Sequence, residues 1–222
     1  MNTFVNRVHE KWMAQAPHLW WGDRVDARFL VADAVRSLQR CRVLDIGCNA
    51  GVMLSEVPPT NERIGVDRSL EAIELARRHN PSVPFAVADM MTLPFQDASI
   101  DAVLFCGMLE VPPRCFQVGA VQEVARVLRP GGRLYLTTMN RRYRRYRRHP
   151  STVTYEELEA LLRPWFRYEI RGFNPFPPFP FFLPNRWLAE VPGIWPFLQT
   201  LMRHRVAERS SCAFLVTAVK YP

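Results

Sequence analysis

Three acidic residues with a regular spacing, Asp45, Asp67 and Asp89, lie in or at the end of short apolar stretches. Asp67 follows Asp45 by 22 residues, and Asp89 follows Asp67 by another 22. Carboxylates at the ends of parallel strands accept hydrogen bonds from ribose hydroxyl groups. Gly47 and Gly51 allow a tight turn and a close approach of a ligand to the backbone. This spacing predicts a site for a ligand that contains a ribose.

Apolar stretches typical of buried strands alternate with stretches of helical periodicity along the chain. The alternation predicts an α/β fold, a doubly wound and mostly parallel sheet with helices on both faces. Ligands of such sheets bind outside the carboxyl ends of the strands. The predicted strands cover residues 42–46, 63–67, 83–88, 100–105, 133–139, 165–172 and 212–220. The predicted helices cover residues 4–16, 25–38, 51–57, 70–79, 116–128 and a segment from Thr154 to about residue 162.

Capping signals define several of these helix ends. Ser69 is predicted to be an N-cap, and Thr154 with Glu157 is predicted to form a capping box. Gly131 and Gly132 are predicted to end the helix over residues 116–128. The apolar residues of that helix are predicted to face the core, and they are Val118, Val121, Ala125 and Leu128.

Four motifs follow one another along the chain, VLDIGCNAG, GVDRS, DMMTLPFQDASID and LRPGG. With them, about residues 24–173 resemble the class I S-adenosylmethionine-dependent methyltransferases. Within this class the motifs are most similar to the small quinone-biosynthesis type. The resemblance implies a seven-stranded, Rossmann-like sheet with an antiparallel last strand. It also implies S-adenosylmethionine as the cofactor.

The resemblance assigns roles to the residues of the motifs. Asp67 is expected to hold the ribose hydroxyls, and Asp89, with Met90 beside it, the adenine amine. The turn is expected to approach the methionine end, with Asp45 orienting the turn. The predicted cofactor-binding set is Asp45, Gly47, Cys48, Asn49, Gly51, Asp67, Arg68, Asp89, Met90 and Cys106.

Asn49 departs from the resembled family, which usually has glycine at this position. Asparagine tolerates the left-handed backbone region better than other non-glycine residues, so the turn is expected to keep its shape. The rival class for this topology, the nicotinamide-dependent enzymes, uses G-x-G-x-x-G. Because position 49 is not glycine, that motif is missing.

The composition indicates one globular domain over residues 1–222, since 48% of the residues are apolar. Five cysteines without a C-x-x-C motif argue against a disulfide framework or a zinc site, and we expect no metal. Residues 1–20 lack the apolar core of a signal peptide, which favours the cytoplasm. The net charge of +8 is concentrated in an arginine-rich loop over residues 140–150.

Three segments are expected to surround the site. Residues 1–40 are predicted to form a helical cap, and residues 140–150 leave the carboxyl edge as the arginine-rich loop. Residues 173–205 form an insertion with seven prolines and many aromatic residues. In the resembled topology this insertion also lies at the carboxyl edge, as a lid or as a contact with a membrane interface.

Three functions are consistent with these features. The first is methyl transfer to an apolar, membrane-associated small molecule, such as a quinone precursor or a lipid, by a peripheral protein at the inner face of the membrane. The second is methylation of RNA or nucleotides, with the arginines on the phosphates. The third is a cofactor-binding assembly subunit without catalysis. The candidate general bases are Glu110, His149 and Tyr143.

Overall fold

Seven strands form one sheet in the order β3-β2-β1-β4-β5-β7-β6. The computed structural model describes residues 31, 33–143, 146–173 and 211–222. Strands β1 to β5 run parallel, and β7 lies antiparallel between β5 and β6. The predicted fold class is therefore confirmed. The strands are β1 Arg42–Ile46, β2 Glu62–Asp67, β3 Phe85–Val87, β4 Ile100–Cys106, β5 Leu128–Met139, β6 Phe166–Phe173 and β7 Ala213–Lys220.

Four helices with defined ends lie among the described residues, α1 Val52–Glu56, α2 Leu70–His79, α3 Arg114–Val127 and α4 Tyr155–Leu162. The Ser69 hydroxyl accepts a hydrogen bond from the Ala72 amide and begins α2. Thr154 and Glu157 form the predicted capping box at the start of α4. Local side-chain chemistry therefore predicted both helix starts correctly.

The core has two layers, one on each face of the sheet. Helices α3 and α4 cover one face, where Val124 and Leu158 pack with Phe105 and Phe214. Residues of α1 and α2 pack against the other face together with Val31, Val35 and Leu38. Residues 31 and 33–35 are helical, so the described end of the predicted 25–38 helix agrees with the prediction. The helix predicted over residues 4–16 lies outside the described residues.

Helix α3 differs from the prediction on its buried face. Val118 is 58% exposed, whereas Gln117 is buried. The helix begins at Arg114, and its core stripe follows Gln117, Ala120, Val121 and Val124 at helical spacing. Gln117 is accommodated because its Nε2 donates to the backbone oxygens of Leu109 and Ser151, both at 2.6 Å.

The predicted helix end at Gly131 and Gly132 is wrong. Helix α3 ends at Val127, and Leu128 already has extended backbone angles and begins β5. Pro130 has no amide hydrogen and cannot continue a helix. Gly131, with φ of 75°, provides a turn within β5.

The carboxyl edge of the sheet collects the ends of β1 to β6. The loop over residues 140–150 leaves this edge after β5. Phe173 at the end of β6 pairs with Ala213 at the start of β7, and Ala213 also pairs with Met139. The chain therefore leaves the sheet after Phe173 and re-enters it at Ala213 on this same edge. Within the described ranges, no helix is long and apolar enough to cross a membrane.

Candidate active site

A turn with three left-handed residues joins β1 to α1. Gly47, Asn49 and Gly51 have φ of 74°, 50° and 75°. The prediction that asparagine preserves the turn is thus confirmed. A side chain at Gly47 would overlap Met108, so the turn and the loop after β4 are packed against each other.

Asp45 precedes this turn and is only 3% exposed. Burial, with a further contribution from the negative charge of Asp67, raises the pKa of Asp45 to about 8. Burial also raises the pKa of the Cys48 thiol, and the charges of Asp45 and Asp67 add to this effect. Cys48 is therefore a neutral thiol rather than a nucleophilic thiolate at neutral pH.

The raised pKa of Asp45 predicts a pH-dependent stability. The folded protein holds this proton up to about pH 8, whereas an unfolded carboxyl group, with a pKa of 3.8, loses it much earlier. The free energy of unfolding should therefore fall between about pH 4 and pH 8, by at most about 1.4 kcal/mol per pH unit from this group. Asp45→Asn removes the effect, so urea unfolding should show the variant gaining stability relative to wild type as the pH rises. A difference that stays constant from pH 5 to pH 8 would show that Asp45 is ionised throughout.

The Asp67 carboxylate supports the turn directly. Its Oδ2 accepts a hydrogen bond from the Asn49 amide at 3.0 Å, and its Oδ1 accepts one from the Ser69 amide at 2.9 Å. Each carboxylate oxygen has a second lone pair, so the group keeps acceptor capacity for hydroxyl groups. Arg68, which follows it, is exposed.

Asp89 lies at the same edge, beside β2. The amide of Ala88 donates to the Asp67 carbonyl at 3.0 Å. Asp89 is exposed, and its Oδ1 accepts a hydrogen bond from the Met91 amide at 2.9 Å. The side chain is thus oriented by its own turn, and Met90 beside it is half-buried.

Two side chains of α3, Glu123 and Arg126, hold the loop that follows Asp89. Glu123 Oε1 accepts a hydrogen bond from the Leu93 amide at 2.7 Å. Arg126 donates to the carbonyls of Leu93 and Phe95 and to Asp97, at 3.1, 2.8 and 2.6 Å. It also makes a two-fold contact with Glu123, at 2.8 Å each. We call this pair the loop clamp.

The three predicted general bases lie near the carboxyl edge in different surroundings. Glu110 is buried, and its Oε1 accepts hydrogen bonds from the Met139 amide at 2.6 Å and from the Thr138 hydroxyl at 3.2 Å. These contacts give it a structural role at the end of β5. Tyr143 is half-buried, and His149 is exposed and accepts from the Ser151 amide at 3.3 Å. Their catalytic roles stay predictions.

The arginine-rich loop divides into paired and exposed positions. Arg141 and Arg114 both contact Glu157, and Arg142 contacts Glu156 at 3.1 Å. Arg141 and Arg142 therefore bind the first turn of α4. Arg147 and Arg148 are exposed.

Part of the chain that carries these residues matches a known protein family. Residues 43–132 match the family model described as a methyltransferase domain. They form a class I S-adenosylmethionine-dependent methyltransferase domain. The match begins in β1 and ends in β5, and it includes the turn, Asp67, Asp89 and the loop clamp.

Two relatives and one solved structure illustrate the range of similar proteins. The ubiquinone biosynthesis O-methyltransferase of Xanthomonas oryzae pv. oryzae is 33% identical over 147 residues, 64% of this chain and 61% of that protein. The mouse protein described as "Probable tRNA methyltransferase 9B" is 33% identical over 128 residues, 56% of this chain and 26% of that protein. A crystal structure of an S-adenosylmethionine-dependent methyltransferase from Thermotoga maritima superimposes with a TM-score of 0.63 at 20% identity, covering 99% of this chain and 97% of that one.

The residues of the methyltransferase domain fit S-adenosylmethionine, the cofactor of this domain type. The cofactor carries positive charge on its sulfur and its ammonium group, and the Asp67 carboxylate lies at the turn, where it accepts a hydrogen bond from the Asn49 amide. The Asp67 carboxylate has lone pairs left to accept hydrogen bonds from ribose hydroxyls. The Asp89 carboxylate is exposed, so it can accept a hydrogen bond from the adenine amine. Cys106, half-buried at the end of β4, completes the predicted set at this edge. Within the described part of the chain, no group of three His, Cys, Asp or Glu side chains is placed to hold a metal ion.

Sequence reasoning missed several polar residues of the methyltransferase domain and the loops around it. Gln117 joins the loop after β4 to Ser151, the residue that follows the arginine-rich loop. Asn140 is fully buried, donates to the Ser211 carbonyl at 2.7 Å and accepts from the Arg142 amide at 2.9 Å. Its position directly after an apolar strand, at the predicted ligand edge, was the only available signal.

Proposed function

We propose that the protein transfers a methyl group from S-adenosylmethionine to an apolar small molecule at a membrane surface. The observation that carries the proposal is the pairing of Phe173 and Ala213 at the carboxyl edge. Residues 174–210, which contain seven aromatic residues and seven prolines, start and end at the edge where the cofactor residues lie. An apolar segment beside a cofactor site suits an apolar acceptor. The similarity to a protein that methylates in ubiquinone biosynthesis agrees with this class.

The residues of this chain contribute mainly by binding the cofactor and the acceptor and orienting them toward each other. The bound cofactor supplies an electrophilic methyl group. Asp67 and Asp89 would hold the nucleoside of the cofactor, and Asp45 would orient the turn that approaches its cationic end. Holding the two reactants in line converts the transfer into an effectively unimolecular step. Of the three predicted bases, Tyr143 and His149 are more accessible than buried Glu110, and they would remove a proton from a hydroxyl acceptor.

Labelling of natural extracts tests the proposed acceptor class. The full chain is incubated with methyl-labelled S-adenosylmethionine and either total lipid or total RNA. We expect label in the lipid fraction. Label in RNA would favour the second function, for which the exposed arginines and the similarity to a tRNA methyltransferase argue. Cofactor and vesicle binding without any transfer would favour an assembly subunit.

Exposed arginines of the loop should promote binding to anionic membranes. Each basic residue near such a surface contributes about 1 kcal/mol. Arg147→Gln with Arg148→Gln should therefore weaken binding to phosphatidylserine-containing vesicles by roughly 30-fold and leave cofactor affinity unchanged. Arg141 and Arg142 are retained because they bind α4.

A matched control distinguishes the effect of the arginines' position on vesicle binding from the effect of net charge. Arg133 and Arg167 are exposed, and both pair with Val219 near the amino end of the sheet. Replacing these two with glutamine removes the same charge at the opposite edge. Equal losses in the two double variants, or equal binding of wild type to neutral and anionic vesicles, would remove this part of the proposal.

A further inference from the structure

The first two turns of helix α3 expose an uncharged and largely apolar surface. Phe116 is 53% exposed, Val118 is 58% exposed, and Cys115 beside them is also exposed. Val111, in the loop that leads into the helix, is 56% exposed. We call these four residues the α3 surface. Residues 115–122 include no charged residue, although the exposed face of a surface helix normally carries several. Contiguous exposed apolar side chains of this kind mark a site of interaction.

A hydrogen bond places the arginine-rich loop beside the α3 surface. Gln117, in the same helical turn, donates from Nε2 to the Ser151 carbonyl at 2.6 Å. Ser151 directly follows the loop, and Arg147 and Arg148, both exposed, precede it by four and three residues. Four residues of chain span at most about 14 Å. The two exposed guanidinium groups and the apolar side chains therefore belong to one region of the molecular surface.

The acidic groups of this region are already engaged with arginines. Glu157 contacts both Arg114 and Arg141, and Glu156 contacts Arg142 at 3.1 Å. The exposed pair of the arginine-rich loop therefore gives the region a positive charge. An apolar surface flanked by cations is complementary to an anionic lipid bilayer, because acyl chains accept the apolar side chains and the headgroups attract the cations.

A nucleic acid fits the α3 surface less well. Its phosphates would bind the exposed arginines, and a base could stack on Phe116. Val111 and Val118 have neither a charge nor an aromatic ring, so they would gain nothing from such a partner. The exposure of these two valines favours a lipid surface.

We infer that the α3 surface enters an anionic lipid bilayer, with the exposed arginines of the neighbouring loop on the headgroups. The inference rests on the proposed function, which places the protein at a membrane, and it names the side chains that contact the lipid. Val111 lies in the loop that follows β4, at the carboxyl edge of the sheet. In this orientation the edge that carries the cofactor residues faces the bilayer, so an apolar acceptor could reach it without crossing water.

Substitution of two apolar side chains tests the inference. Val111→Ser with Phe116→Ser should weaken binding to phosphatidylserine-containing vesicles by about tenfold or more, because these side chains no longer move from water into hydrocarbon. The loss should persist at high salt, where attraction between the arginines and the headgroups is screened. The matched control is Val219→Ser with Tyr221→Ser, which alters exposed apolar residues near the amino edge and should leave vesicle binding unchanged.

A dye on Cys115 reports directly on contact with lipid. Cys115 is exposed, whereas the other four cysteines are half-buried or buried, so a thiol-reactive dye reaches it first. Lipids brominated in their acyl chains should quench this dye when the protein is bound to vesicles. The same dye on the variant with Cys115→Ser and Arg167→Cys, at an exposed position near the amino edge, should stay unquenched.

Four results would overturn the inference. Equal losses in the two serine double variants, or equal quenching at the two dye positions, would show that the α3 surface stays outside the bilayer. A lower urea midpoint of Val111→Ser with Phe116→Ser, with unchanged vesicle binding, would show that another part of the chain covers this surface. A wild-type dimer that dissociates in this variant, again with unchanged vesicle binding, would show that a second copy covers it.

Failure of the proposed function gives a different result. If wild type binds no vesicles of any composition, the membrane part of the proposed function is wrong, and the inference fails with it. If wild type binds anionic vesicles but the α3 surface is neither required nor quenched, only the inference fails.

Discussion

Asp67→Ala is expected to weaken S-adenosylmethionine binding by about 1.5–3 kcal/mol, the range for hydrogen bonds to a charged group. The carboxylate is the predicted acceptor for the ribose hydroxyls, and it also fixes the turn through the Asn49 amide. Loss of the ribose acceptor and loss of the contact with the turn should both weaken cofactor binding. Calorimetry on folded variant protein gives the affinity directly.

The control for local disruption near Asp67 is Ser69→Ala. It removes the N-cap contact with Ala72 and leaves the Asp67 carboxylate in place. The control should lose about 1 kcal/mol of stability, the usual cost of an N-cap, without loss of affinity. Unchanged affinity of Asp67→Ala would mean that Asp67 does not bind the ribose.

Replacing residues 175–200 with a short Gly/Ser linker should abolish methyl transfer to an apolar acceptor while the sheet stays folded. Phe173 and Ala213 pair at the carboxyl edge and are both retained, so the register of β6 and β7 does not depend on the replaced residues. Changing the length of a flexible connection costs little, about 0.6 kcal/mol for each doubling. Cofactor affinity should therefore be preserved, and binding to vesicles should be lost.

Three measurements report on the parts of this prediction separately. Circular dichroism follows the sheet, titration with S-adenosylhomocysteine follows the cofactor site, and vesicle flotation follows membrane binding. A Gly/Ser segment of the native length is the matched control for loop length. If the shortened protein unfolds, residues 175–200 belong to the core. If transfer persists, they do not contact the acceptor.

Features with a local cause could be predicted from the sequence. The Ser69 N-cap and the Thr154 capping box depend on side chains within three residues, and β1 depends on an apolar run buried on both faces. The positive φ of Asn49 follows from the turn that it occupies. The topology of the sheet was predicted from the resemblance to a known family, which rests on the order of the four motifs.

Features with a non-local cause could not be predicted. Gln117 replaces Val118 on the buried face because two carbonyls, from loops eight and 34 residues away, accept its amide hydrogens. The pKa of Asp45 depends on burial and on Asp67, which lies on the neighbouring strand. Glu110 was predicted from its place after β4, yet its contacts are with the end of β5.

The loop clamp has a consequence for how this region tolerates sequence change. All five N–H groups of Arg126 are engaged, and two of its acceptors are backbone carbonyls. A lysine offers three donors from a single nitrogen and cannot reproduce that planar arrangement. The course of the main chain over residues 93–95 therefore depends on two side chains of α3, which lie about 30 residues later in the sequence. Exposed Pro94 is free to vary as long as the main chain keeps its course, whereas Glu123 and Arg126 are expected to change only together.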